Sequence, residues 1–308
     1  MRITSVTKLP SLFLRLGTAF LAMSLLLSAC GIPATGQATI RVGSKDFTEE
    51  FILGEMYAQV LENAGFKVDR KLNLGGTPVA QQALVNNQID VYPEYTGTGL
   101  LTVLKDPVQS DPTAVYNTVK DGYKKQFNLV WLDQSPMNDT QALAMTQAGA
   151  QKFGVKTFSD LAAKASQLIM VGPPEFQERE DGLPGMMKVY GKFTLKQYKA
   201  VDPGLRYQAL TSGQADVVVA FSTDGEITAD HLVLLQDDKH MFPPYHVAPV
   251  IRQDTLTANP KVADLLNALA PKITDQVMSQ LNYEVDGNKK EPKAVAHDFL
   301  VQQGLIKQ

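Results

Sequence analysis

The chain has few of the residues on which most catalytic and metal sites depend. Its 308 residues include one cysteine, Cys30, and four histidines. A lone cysteine excludes an intramolecular disulfide. His240 and His246 lie six residues apart in a proline-rich segment, and the four histidines are otherwise scattered, which is typical of exposed loop positions. We therefore expect no metal site and no thiol chemistry.

Common enzyme motifs and a basic charge excess are also missing. The sequence contains no GxSxG, GxxxxGK[ST], HExxH or GxGxxG motif. The formal net charge is −3, from 29 basic and 32 acidic residues. Because binding to nucleic-acid phosphates depends on a basic surface, no nucleic-acid partner is expected. We predict neither an enzyme nor a bound cofactor.

The longest apolar run is short and lies at the N-terminus. Basic residues Arg2, Lys8 and Arg15 precede the apolar run 18–28, which ends in Leu-Ser-Ala-Cys30. Such a run is typical of a signal-peptide core and is too short to remain as a membrane span. Small residues before the cysteine indicate a lipoprotein cleavage box. The alternative is an ordinary secretory signal with an incidental cysteine.

These patterns predict a signal peptide over residues 1–29 and a lipid-bearing Cys30 followed by a flexible linker, residues 30–38. The lipid would hold the protein on the extracytoplasmic face of the cell membrane or in the periplasm. Cleavage would remove three basic and no acidic residues, so the net charge would change from −3 to −6. The remaining chain is long enough for one large domain or two smaller ones.

Strand and helix patterns alternate from residue 39 onward, which predicts an α/β fold with mainly parallel sheets. Alternating Ile40 and Val42 indicate a first strand, and an apolar stripe from Ile52 to Ala64 indicates a helix with Thr48 as its N-cap. Further strands are predicted at 66–74, 89–92, 168–171 and 217–220, and Ser159 is the predicted N-cap of a later helix. Proline- and glycine-rich segments near 134–140 and 242–249 are candidate crossovers between two lobes.

Polar and aromatic side chains follow the predicted strands, where α/β folds place ligands. The segments are Ser44–Phe47, Tyr92–Thr98, Pro173–Phe176, Phe221–Asp224 and Pro243–Tyr245, with Arg179 and Arg206 nearby. Aromatic rings at such positions suit the walls of a cleft, and Lys45 or Arg179 suits an anionic group. Each residue alone is more typical of core or surface, whereas the recurrence at several strand ends predicts a ligand cleft.

Several segments, in order and at the expected spacing, resemble the glycine betaine/choline family of ABC-transporter substrate-binding proteins. They are GSKDFTEEFILGEMYAQVLE, KLNLGGTPVAQQAL, DVYPEYTGTG, PEFQEREDGLPG, DPGLRYQAL, FSTDG, DDKHMFPPYHVAPV and LNYEVDG. The resemblance implies a type II periplasmic-binding-protein fold with two α/β lobes, joined by two hinge strands around a ligand cleft. Lobe 1 would be 39–139 plus 247–308, and lobe 2 would be 140–246.

The resemblance also implies a quaternary ammonium ligand in an aromatic cage, delivered to the permease and ATPase of an importer by a monomeric binding protein. The cage positions would be Tyr95, Gln141, Phe221 and Tyr245, of which Gln141 departs from the family's usual aromatic residue. A ligand carboxylate would be held by Lys45, Thr98 and Arg179. Asp139 and Glu175 would lie near the cation or between the lobes.

Other functions stay open on the sequence. Gln141 offers hydrogen bonds in place of a ring face, so the same fold and transport role with an amino acid or another polar zwitterion as ligand is the main alternative. An extracytoplasmic enzyme would have to use Asp139, Glu175 and Asp224 as acid and base. A ligand-binding sensory or germination-type receptor is a further possibility.

Overall fold

The structure is a computed structural model and describes residues 39–307. The predicted signal peptide, Cys30 and the linker 30–38 lie outside these residues. Within the described part of the chain, no helix is both long and apolar enough to cross a membrane.

The described residues form ten strands in two five-stranded sheets. The strands are β1 (Thr39–Gly43), β2 (Lys67–Lys71), β3 (Val91–Tyr95), β4 (Leu129–Trp131), β5 (Gln141–Met145), β6 (Ile169–Gly172), β7 (Gln197–Ala200), β8 (Val217–Phe221), β9 (Val233–Leu234) and β10 (Val247–Arg252).

Helices connect the strands and form most of the C-terminal region. The α-helices are α1 (Thr48–Asn63), α2 (Thr77–Val85), α3 (Pro112–Phe127), α4 (Gln147–Phe153), α5 (Phe158–Lys164), α6 (Leu183–Tyr190), α7 (Arg206–Thr211), α8 (Gly225–Ala229), α9 (Gln253–Ala258), α10 (Lys261–Asn267), α11 (Asp275–Asp286) and α12 (Pro292–Gln302). A helical turn, Thr96–Thr98, runs directly into a π-helix, Gly99–Leu104. Short 3₁₀ turns occur at Ala165–Gln167, Pro174–Gln177, Pro203–Leu205 and Ala270–Lys272.

Each sheet is parallel in one half and antiparallel in the other, so the prediction of mainly parallel sheets is wrong. The first has the order β2-β1-β3-β10-β4, with β10 antiparallel to both neighbours. The second has the order β7-β6-β8-β5-β9, with β5 antiparallel to both neighbours. The register of β5 with β8 places Gln141 directly opposite Phe221. Two predicted cage positions are therefore neighbours on one sheet.

The chain passes between the sheets twice, after β4 and before β10, and the two passages pair at Asn138 and His246. The predicted crossovers near 134–140 and 242–249 fall at these passages, except that β10 already includes residues 247–249. Helix α1 packs against α12, which returns the C-terminal segment to the first sheet. The predicted α/β architecture of two lobes joined by two hinge segments is confirmed.

Several predicted boundaries are wrong in detail. The N-cap of α1 is Phe47, and Thr48 instead donates its hydroxyl to Asp286 (Oγ1 to Oδ1, 2.6 Å). The N-cap of α5 is Thr157, which forms a reciprocal capping box with Asp160, so Ser159 lies inside the helix. The third strand runs from Val91 to Tyr95 rather than ending at Tyr92.

Candidate functional site

The nine residues predicted to bind ligand all line one cavity between the two sheets. The space between its walls, including the open mouth, is about 510 Å³. The predicted residues in its wall are Lys45, Tyr95, Thr98, Asp139, Gln141, Glu175, Arg179, Phe221 and Tyr245. Sequence reasoning missed five further wall residues, Asp46, Phe47, Thr77, Pro173 and Pro203, although Asp46, Phe47 and Pro173 belong to strand-end segments that it singled out.

Three aromatic rings stack across the cavity. Phe47 lies between Tyr95 and Phe221, with ring centroids 6.3 Å and 5.9 Å away and interplanar angles of 28° and 15°. Tyr95 ends β3 of the first sheet, whereas Phe221 ends β8 of the second. Aromatic rings from both sheets therefore meet at the cavity wall, where ring faces attract a cation.

The two predicted cage tyrosines are held by hydrogen bonds to buried carboxylates. Tyr95 Oη donates to Glu49 Oε1 at 2.8 Å, and Tyr245 Oη donates to Asp181 Oδ2 at 2.7 Å. Burial and these neighbouring carboxylates raise the pKa of both phenols well above the ordinary value. Both rings thus stay neutral and fixed in position.

Lys45 already has a counter-ion, Glu94, behind the wall. Its Nζ lies 2.6 Å from Glu94 Oε1 and 3.8 Å from Glu50 Oε1, and it sits 4.7 Å from the centroid of the Tyr95 ring. Burial raises the pKa of Glu50 to about 8, while the Lys45 charge opposes that rise. A ligand carboxylate at Lys45 would therefore share its charge with Glu94.

Arg179 is fixed by a bidentate ion pair with Asp181. Its Nε lies 2.7 Å from Asp181 Oδ1, and its Nη2 lies 2.6 Å from Oδ2. Although burial opposes ionisation of Asp181, the guanidinium holds the pKa of that carboxyl below its usual value. Nη2 also reaches Thr98 Oγ1 at 3.4 Å, which joins the second sheet's side of the cavity to the first. Nothing in the sequence pattern distinguished Asp181 as a site residue.

Gln141 belongs to the same cluster as Asp181. Its Nε2 donates to Asp181 Oδ2 and, at 3.2 Å, to Tyr245 Oη. An aromatic residue at this position would leave the Asp181 carboxylate with one donor fewer. Gln141, at a predicted cage position, is thus hydrogen-bonded to a buried carboxylate behind the wall.

The Thr223 hydroxyl links Asp139 to Glu49. Thr223 Oγ1 lies 2.7 Å from Asp139 Oδ1 and 2.6 Å from Glu49 Oε2. A hydroxyl has one hydrogen to donate, so the second short contact requires a protonated carboxyl. Burial, reinforced by mutual repulsion of nearby carboxylates, raises the pKa of Asp139 well above its usual value, and burial raises that of Glu49. The Thr223 hydroxyl therefore bridges the two carboxyls, at least one of which holds a proton.

Glu175 lies against the N-terminus of α2. A Cβ added to Gly76 would fall 2.6 Å and 2.7 Å from the two carboxylate oxygens of Glu175, so only glycine permits this approach. Burial raises the pKa of Glu175, while Arg179 partly offsets the rise. Because Gly76 follows the first sheet and Glu175 the second, this is another contact between the two sides of the cavity.

Carboxyl groups outnumber unpaired cations around the cavity. Lys45 and Arg179 are neutralised by Glu94 and Asp181, which leaves Asp46, Asp139 and Glu175 as the acidic wall residues. Together with the stacked rings, these carboxyl groups favour a ligand with a positively charged group, because a nearby cation stabilises their ionised form.

Asp224 and Arg206 lie outside this cavity and serve a structural role. Asp224 Oδ2 accepts hydrogen bonds from Arg206 Nη2 (2.7 Å), Tyr207 Oη (2.6 Å) and the Phe221 backbone N–H (2.7 Å). Asp224 therefore supports Phe221 from behind and is committed to three donors, which does not fit the acid–base role considered from sequence.

The residues 38–302 match the family model described as the substrate binding domain of ABC-type glycine betaine transport systems. The chain belongs to this family. Family members bind substrate for an importer, so this protein is a substrate-binding component that acts outside the cytoplasm and is not an enzyme.

Individual relatives support the same assignment. The chain is 36% identical to the glycine-betaine-binding protein of Pseudomonas aeruginosa over 299 residues, which cover 93% of this chain and 96% of the relative. It is 37% identical over 265 residues, or 86% of this chain, to the ergothioneine transport permease/ergothioneine binding protein EgtU of Helicobacter pylori, of which it spans 47%. The crystal structure of a glycine betaine/carnitine/choline ABC transporter superposes with a TM-score of 0.68 at 32% identity, covering 86% of this chain and 99% of that one.

Proposed function

We propose that the cavity binds a small quaternary ammonium compound of the glycine betaine, choline, carnitine and proline betaine class. The single observation that carries this proposal is a stack of aromatic rings, Phe47, Tyr95 and Phe221, in a cavity with surplus carboxyl groups. A methylated ammonium cannot donate hydrogen bonds, and each ring face attracts it by about 0.5–2 kcal/mol. Three or four rings are sufficient for micromolar affinity, which corresponds to about −8 kcal/mol, after the costs of ordering.

The opposite end of the ligand would meet Arg179, Thr98 and Lys45. The guanidinium of Arg179 is oriented by Asp181 and lies 3.4 Å from the Thr98 hydroxyl, so these two groups can hold one carboxylate together. Lys45, whose Nζ is bound to Glu94, would contribute less. Carboxylate-bearing ligands would therefore depend mainly on Arg179.

Ligand would stabilise the closed arrangement of two lobes, 39–139 plus 247–308 and 140–246. The contacts between Thr223 and Glu49, between Phe221 and Phe47, and between Arg179 and Thr98 all cross this proposed boundary. Only the closed form offers the ligand both sides of the cavity, so binding shifts the population toward closure. We propose that the closed monomer then docks on a membrane permease with its ATPase, tethered through lipid on Cys30.

Isothermal titration of the purified protein with glycine betaine, choline, carnitine and proline betaine tests the proposed ligand class. Micromolar binding of at least one compound is expected. If none of the four binds, while amino acids or other polar zwitterions do, the quaternary ammonium assignment is wrong and the cavity serves the alternative ligand class that Gln141 allows.

Binding of a quaternary ammonium is expected to release protons. A cation beside Asp139 favours the ionised carboxyl and lowers its raised pKa, so a proton leaves on binding. Affinity should therefore rise with pH between the pKa of the bound form and that of the free form, and fall as pH drops. The apparent binding enthalpy should differ between phosphate and Tris buffers at one pH. In Asp139→Asn this difference should disappear, and an enthalpy independent of buffer in the parent would contradict a protonated carboxyl at this site.

A further inference from the structure

Gln141 is the first residue of β5 and stands in the cavity wall. It is 4% exposed and lies opposite Phe221 in the β5–β8 register. Its backbone lies in a buried strand and pairs with β8 at this position. The amide itself is held by side-chain hydrogen bonds to Asp181 and Tyr245.

The surroundings of the amide determine which end is nitrogen. Nε2 donates to Asp181 Oδ2 and also contacts Tyr245 Oη, whose own hydrogen is given to Asp181. The flipped amide would place its oxygen against the ionised Asp181 carboxylate, where no hydrogen is available. The nitrogen end is thus committed to the Asp181 cluster, and the other end of the group is the acceptor Oε1.

Oε1 has no donor among the residues that the structure describes. It accepts none of the hydrogen bonds formed by residues 39–307, and it is absent from the buried side-chain atoms that are sealed from solvent without a partner. It thus retains solvent contact, and its residue lines both this cavity and a surface groove beside Phe242. A ligand that excludes solvent from Oε1 must supply a donor, or the acceptor is left unpaired when the lobes close.

We propose that the cavity selects quaternary ammonium ligands that also carry an O–H or N–H donor, which binds Gln141 Oε1. This inference rests on the proposed function and deepens it. A trimethylammonium group and a carboxylate have no hydrogen to give, so glycine betaine alone leaves Oε1 unsatisfied. Ligands with a hydroxyl or a ring N–H near the cation satisfy it, and an aromatic residue at position 141 would remove this preference.

Two matched ligand pairs test the inference by isothermal titration. Carnitine differs from γ-butyrobetaine by one hydroxyl, and choline differs from its O-methyl ether by one hydroxyl hydrogen. An unpaired buried acceptor typically costs about 1–3 kcal/mol, so the donor-bearing member of at least one pair should bind about fivefold to 150-fold more tightly. Gln141→Met, which keeps the length of the side chain but removes Oε1, should reduce that preference to less than about twofold, because the acceptor is gone.

The outcomes separate this inference from the proposed function. If both members of each pair bind with equal affinity, the proposed function stands and the donor requirement is overturned. A preference that persists in Gln141→Met assigns the hydrogen bond to another residue and also overturns the inference. If no member of either pair binds but glycine betaine or proline betaine does, the donor requirement is overturned and the proposed function stands. If these two compounds also fail to bind, the quaternary ammonium assignment itself fails. The parent protein alone decides the first, third and fourth outcomes, even if Gln141→Met does not fold.

Discussion

Asp224→Ala should lower the free energy of unfolding by about 3–5 kcal/mol, because it leaves the buried Arg206 guanidinium without its counter-ion. The side chains of Arg206 and Asp224 are 6% and 13% exposed, and their closest N···O distance is 2.7 Å. The substitution also removes the acceptor for Tyr207 Oη and for the Phe221 backbone N–H. Urea unfolding followed by circular dichroism measures the loss.

Asp254→Ala is the matched control for Asp224→Ala. Asp254 also pairs with an arginine, Arg252, but its side chain is 63% exposed. Because exposed ion pairs contribute about 0–1 kcal/mol, this variant should unfold nearly like the parent. Equal losses of unfolding free energy in the two variants would show that the buried Arg206–Asp224 pair stabilises the protein no more than an exposed pair.

Tyr95→Ala should weaken quaternary ammonium binding by about tenfold or more, since a desolvated cation–π contact is worth up to about 2 kcal/mol. The ring also stacks on Phe47, so its removal loosens a second wall residue. Tyr245→Ala should have a similar effect. Isothermal titration with the tightest ligand of the panel gives the change in dissociation constant.

Two further variants test whether the loss of the Tyr95 ring itself weakens ligand binding. Tyr95→Phe keeps the ring face and loses only the hydrogen bond to Glu49, so it should retain most of the affinity. Tyr116→Ala removes a partly buried tyrosine outside the cavity and should bind like the parent. The cage assignment is wrong if Tyr95→Ala also binds like the parent.

The sequence predicts the helices and apolar strands of this fold well, because the spacing of their apolar residues matches the elements in the structure. The exception that matters for the site is β3, predicted to end at Tyr92. Pro93 argues against a central strand, yet it lies directly opposite Pro249 of β10. The Pro249 carbonyl accepts from the Leu132 N–H on the β4 side, so Pro93 and Pro249 face each other at a non-hydrogen-bonded position of the ladder. Neither nitrogen is needed as a donor between β3 and β10, so β3 can continue to Tyr95.

The proposed cage positions follow from the resemblance to the family, whereas the groups that hold their side chains do not. In the sequence, Glu49 is an ordinary acidic residue in the first turn of a predicted helix, a placement that the helix dipole favours. In the fold it accepts hydrogen bonds from Tyr95, Thr223 and Asn282, which lie 46, 174 and 233 residues away along the chain. Asp181 likewise gains its role only when Tyr245 and Gln141 meet it. Such long-range contacts leave no local pattern.

The central claim is that the cavity recognises the positive charge of a methylated ammonium through ring faces and carboxyl groups. The most direct test is titration of choline beside 3,3-dimethylbutan-1-ol, which has the same shape but carbon in place of the charged nitrogen. Because three rings and an acidic wall act on the charge, choline should bind at least about a hundredfold more tightly. Equal affinities for the two compounds would contradict the account, since shape and apolar contact alone would then explain binding.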